Sequence, residues 1–194
     1  MVQPIPPAEG LLRPSVHILV GSGPGPVEPE IGAFLEAVYP QTFWRLTVHE
    51  AVGPHAAVSL MKAVRVHLAI LLLERLEGAP PPQGAIGPAS APGLVRILKA
   101  AWNVPVVAIA HSPVEPGRRE EVLACGADCV LHTPRELWGI RYRVEAMTSV
   151  FYSRDRLETA PEVPAFVKNQ LRRWDALAAV AYDSFRKYGR VVIG

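Results

Sequence analysis

The chain has 194 residues, 49% of them hydrophobic, which fits one folded domain with a substantial appendage and excludes a mostly disordered polypeptide. Twenty Lys and Arg stand against eighteen Asp and Glu, and a net charge of +2 gives no general attraction to nucleic acid or to a membrane surface. The longest aliphatic run, Leu68 to Leu73, is six residues, against the roughly 20 needed to cross a bilayer.

The first fourteen residues are Pro-rich and lack the basic-then-apolar order of a secretory signal, so residues 1–15 are expected to form a loose arm on a cytoplasmic protein. Val16 to Val20 is a short apolar run stopped by Gly21-Ser22-Gly23-Pro24-Gly25-Pro26, which reads as a buried strand and a turn. Residues 28–39 carry Ile31, Phe34, Leu35 and Val38 at helical spacing, and Pro40 ends the helix. A second strand is expected over 43–48 and a second helix over 55–64. Residues 67–73 are apolar almost throughout and predict a strand covered on both faces. Residues 74–92, rich in Gly, Pro and Ala without periodicity, read as a long loop. A helix follows over 93–102, a fourth strand over 104–110, and a fourth of the main helices over 116–125 with Gly126 as its C-cap. A short fifth strand over 128–131 and a helix from Pro134 to about Phe151 complete the domain. Strands alternating with helices predict an α/β fold: a flavodoxin-like, doubly wound five-stranded parallel sheet.

The second half of this domain carries a distinctive order of residues. Val104-Pro105-Val106-Val107 opens a strand, a helix leads to Gly126-Ala127-Asp128, and Val130-Leu131-His132-Thr133-Pro134 closes the segment. Together with the helix at Gly93 to Leu98, this resembles the receiver domain of two-component response regulators, over roughly residues 16–150. The resemblance implies acidic residues after the first strand to hold magnesium, and an aspartate ending the third strand to accept a phosphoryl group. It further implies a hydroxyl residue after the fourth strand and a lysine before the proline after the fifth. In this chain those positions are Gly21 and Ser22, Leu72, Ala110 and Thr133. None can perform phosphotransfer, so the resemblance implies a degenerate pseudo-receiver. Ser112 would stand in for the hydroxyl only if the fourth strand were longer, and Glu74, two residues past the acceptor position, could act as a fixed negative charge; the alternative is that both are solvated loop residues.

Other constellations are weaker. The glycine loop follows a strand and precedes a helix, but Pro24 and Pro26 remove N–H donors and no Lys-Ser/Thr follows, so a structural turn is expected. His49, His111 and His132 fall near predicted strand ends, where Glu74, His111 and His132 could border a ligand; their spacing carries no metal motif. His17 and His67 begin strands and read as surface or cap residues. Cys125 and Cys129, in Cys-Gly-Ala-Asp-Cys, match neither a redox pair nor a zinc knuckle and read as small buried hydrophobes. No nucleophile elbow or carboxylate pair appears, so no enzymatic activity, metal or cofactor is expected.

Residues 154–194 form a C-terminal helical extension to a domain spanning 16–153. Val167, Leu171, Trp174, Ala178, Ala181, Phe185 and Tyr188 recur at alternating steps of four and three, one continuous apolar stripe. The stripe predicts either packing onto the chain's own domain or a contact with a protein partner, most simply a second copy. The expected role is a phosphorylation-independent signalling or regulatory interaction module that acts through dimerisation at this helix or at the fourth helix and fifth strand. The competing readings are a small-molecule sensor or enzyme with its site at the strand edge, and a transcriptional regulator with a mildly basic tail, although nucleic acid is not an expected partner.

Overall fold

Leu68–Leu72 is buried residue by residue, and this strand, β3, sits at the middle of the sheet. A computed structural model of the chain describes residues 15–41, 44–77, 90–111 and 116–159. The other strands are β1 (Ser15–Ser22), β2 (Arg45–Val52), β4 (Val106–Ile109) and β5 (Cys129–Leu131). All pairings are parallel, in the order β2-β1-β3-β4-β5. Parallel strands need crossovers that put helices over the faces, which is why β1, β3 and β4 read as nearly unbroken apolar segments. The order is that of the flavodoxin-like doubly wound sheet, with its topological switch between β1 and β3.

The helices are α1 (Pro29–Val38), α2 (Gly53–Ala63), α3 (Leu73–Glu77), α4 (Ala91–Trp102), α5 (Pro116–Ala124) and α6 (Arg141–Thr159), with a 3-10 turn at Pro134–Ile140. Ile31, Phe34, Leu35 and Val38 form the buried stripe of α1, as their spacing predicts. In α4, the side chain of Ser90 caps Gly93 N at 3.3 Å, and Asn103 ends the helix in the left-handed region at φ 49°. Gly126 follows α5 at φ +105°, a conformation that favours glycine, and its N–H closes on Leu123 O.

Four expectations need correction. Strand β2 runs from Arg45 to Val52, not over 43–48, because it pairs with β1 along its whole length. It is an edge strand, so His49 and Glu50 stay accessible to water and do not end it. Glu74 lies on a short helix, α3, that continues directly from β3, and α4 begins at Ala91, so the segment from 74 to 92 is not loop throughout. The segment after Pro134 opens with a 3-10 turn before α6 begins. His67 is no surface residue: it is only 4% exposed.

By contact, the chain divides into two compact units, Met1–Ser149 and Val150–Gly194. Within the second unit, α6 continues to Thr159. The expected N-terminal arm up to residue 14, Ser112, and the apolar stripe from Val167 to Tyr188 lie outside the described residues. Among the described residues no helix is long and apolar enough to cross a membrane.

Candidate functional site

In a doubly wound sheet the carboxyl ends of the strands at the topological switch form the crevice where ligands bind. Here that edge is built from Gly21 and Ser22 of β1, Leu72 of β3, Ala110 and His111 after β4, and His132 and Thr133 after β5. Hydrocarbon closes most of it. Leu72 and Ala110 are buried, and the Ala110 N–H is taken up in the sheet by Leu131 O. A Cβ added to Gly21 would come within 2.8 Å of Leu71 Cδ2, so a carboxylate there would require Leu71 to move. Ser22 is buried and its hydroxyl donates to Gly23 O at 3.0 Å. Thr133 is exposed at the start of the 3-10 turn, where it makes no side-chain cap.

The polar part of the crevice is a clasp made of the chain's own groups. Arg75, on α3, donates through Nη2 to Pro24 O at 3.0 Å and through Nη1 to Pro26 O at 3.1 Å. Its Nη1 also lies 4.0 Å from Glu28 Oε1, and Glu28 in turn meets His111 Nε2 at hydrogen-bond distance. Glu74 completes the ring: both of its carboxylate oxygens accept from His111 N, at 3.0 and 3.1 Å. The turn after β1, the start of α3 and His111 after β4 are thereby tied together by charge-assisted bonds.

This geometry explains the glycine loop. A phosphate cradle turns backbone N–H groups inward, whereas this loop turns the carbonyls of Pro24 and Pro26 towards a guanidinium. Gly23 is required because a Cβ would lie 2.3 Å from Arg75 O, and Gly25 adopts φ +115° beside Arg75 Nη2. The turn is shaped around a cation belonging to the protein.

Of the three proposed edge residues, the structure brings Glu74 and His111 together. His132 stands apart, its N–H bonded to Glu136 Oε2 at 2.8 Å. His49 is not at this edge; it lies within β2 beside His17. Among the described residues no group of three or more His, Cys, Asp or Glu is placed to hold a metal ion. Cys125 and Cys129 are free and buried, and burial pushes the Cys129 thiol up to about 11, which keeps it protonated and unreactive near neutral pH. Sequence reasoning missed Arg75 and Glu28. The available signal was a loop with two prolines, poor in donors and rich in carbonyls, facing an arginine at the end of the central strand.

Comparison with solved structures bears out the fold. The chain is similar to a two-component response regulator from Clostridium difficile, with 16% identity, 69% of this chain and 96% of that chain covered, and a TM-score of 0.52. It is similar also to the isolated REC domain of RcsB from Salmonella enterica serovar Typhimurium, with 12% identity, coverage of 71% and 98%, and a TM-score of 0.52. No family model matches the chain, and no curated protein matches it significantly. At such identities the likeness is one of fold: the described five-stranded parallel sheet and its helices have the receiver architecture.

Proposed function

We propose that this receiver-fold chain is a phosphorylation-independent signalling or regulatory module that acts by protein–protein contact, as a homodimer joined through its C-terminal apolar stripe. The observation that carries the reading is the closed strand edge. Gly21, Leu72 and Ala110 fill the places where a receiver would hold metal, phosphoryl group and hydroxyl, and they are packed tightly enough to leave no acceptor there.

The clasp supports the same reading. Phosphorylation of an acceptor ending β3 would place negative charge beside the loop after β4. In this chain the Glu74 carboxylate, two residues beyond Leu72, already accepts the His111 N–H. The charge is built in, so His111 is held at the end of β4 without a phosphodonor. Trp138 and Tyr142 are 46% and 83% exposed and add aromatic surface suited to a protein contact.

The test combines two measurements on the full chain. Incubation with magnesium and acetyl phosphate should leave the intact mass unchanged. The solution mass should be that of a dimer, and a Leu171→Glu, Phe185→Glu double variant should be a monomer with unchanged circular dichroism. A phosphorylated product overturns the phosphorylation-independent role, and a full chain that stays monomeric at high concentration overturns the dimer. Steep, salt-dependent DNA binding by the monomer would instead favour a regulator acting through its basic tail.

A further inference from the structure

Away from this crevice three histidines meet, two from the adjacent strands β1 and β2 and one from the residue that leads into β3. His17 of β1 stands level with His67, the residue just before β3, because Ile18 pairs with Leu68. His67 N donates to His17 O at 2.8 Å. The return bond uses an imidazole: His17 N donates to His67 Nδ1 at 3.0 Å. On its other side His17 Nδ1 lies 2.9 Å from Nε2 of His49 on β2, with the two rings stacked at 5.2 Å and 17°. The His17 and His67 rings are 5.9 Å apart.

Each contact has a proton requirement. To accept the His17 N–H, Nδ1 of His67 must carry a lone pair, so His67 is held as its Nε2–H tautomer. The His17–His49 contact needs one proton between two nitrogens, and two imidazoliums cannot make it. Two cations bear on this pair: Arg45 of β2 lowers His17, and Arg65, from the segment between α2 and β3, lowers His67. Glu50 follows His49 along β2 and alternates to the other face of the strand.

We propose that His17, His49 and His67 form an acid-operated latch, which ties β1 to β2 and β3 while its rings are neutral and releases these strands when His67 gains a proton. Protonation turns Nδ1 from acceptor into donor, so it faces the His17 N–H donor to donor, and adds positive charge beside His17 and Arg65. Strand β2 responds because its only partner among the described strands is β1.

The direction follows from the titration. Burial first, then His17 and Arg65, lowers His67 to about 4, and burial, His49 and Arg45 lower His17. The unfolded chain takes up these protons near 6.5, before the folded one does. Stability is therefore complete above about 6.5 and is lost as pH falls towards 4.

The test uses the full chain and His67→Asn, whose Oδ1 can accept the His17 N–H but cannot titrate. Urea unfolding should show the wild-type unfolding constant rising by roughly fortyfold more than that of H67N between pH 6.5 and 4.5. Exchange of the His17 amide should quicken over the same range in the wild type alone. Equal acid sensitivity in the two proteins overturns the latch. If H67N does not fold, NMR titration of the wild type decides: a His67 ring titrating near 6.5 overturns the proposal, and one titrating near 4 together with loss of His17 amide protection supports it.

Discussion

Gly23 marks where the turn after β1 meets the backbone of α3. With a Cβ only 2.3 Å from Arg75 O, Gly23→Ala cannot be relieved by rotating a side chain, because the obstructing atom belongs to the backbone. The turn must move, and both guanidinium bonds to Pro24 and Pro26 move with it. The variant should lose about 2 kcal/mol of stability, read from urea midpoints, and more than Gly32→Ala, where a Cβ meets nothing within 4 Å. Equal effects at the two glycines would remove the clasp as the reason for the loop. At this scale the sequence was legible for what is missing and illegible for what replaces it. The loss of carboxylates at Gly21, Ser22 and Leu72 can be read from residue identities. The Arg75–Glu28–His111 ring depends on which loops the strand order brings together, and no local spacing encodes that.

Between elements, Asp128 gives the Gly-Ala-Asp turn its physical reason. Its Oδ2 accepts from Val106 N at 2.8 Å and from Lys99 Nζ at 3.0 Å, and Lys99 also donates to Val104 O at 3.2 Å. One carboxylate thus fixes the start of β4 and the approach to β5 against α4. Asp128→Ala should cost about 2 kcal/mol, because the Val106 N–H loses its acceptor and Lys99 its counter-charge. Asp128→Asn, which can keep the backbone bond, should recover about half of that, and denaturant unfolding of the two variants checks the order. If Asn is as damaging as Ala, the ion pair and not the backbone bond carries the effect. Element types were legible where burial is complete: β3 and β4 are unbroken apolar runs, and α1 and α4 show clean stripes. The edge strand β2 was misplaced because its exposed Val48 and Glu50 flank a half-buried His49, which blurs the alternation of apolar and polar residues. Helix α3 was hidden because five residues are too few to show a period. The histidine cluster was invisible for a related reason, since His17, His49 and His67 become neighbours only once β1 lies between β2 and β3.

At the scale of the molecule, the arrangement predicts where independent folding ends. The described core residues run from Val16 to Phe151, so a chain ending at Ser153 keeps every one of them. It also keeps all five strands, the clasp and the histidine cluster. Such a chain should unfold cooperatively, with a thermal midpoint within about 4 °C of the full chain, the shift that roughly 1 kcal/mol produces in a domain of this size. Its β1, β3 and β4 amides should stay as protected from exchange as in the full chain. This outcome leaves the stripe from Val167 to Tyr188 available for association, as the dimer reading requires. A truncated chain with retained far-UV dichroism but lost near-UV signal and a broad transition would mean the opposite. The sheet would then draw part of its burial from residues 154–194, and the heptad spacing there would report a helix belonging to the core.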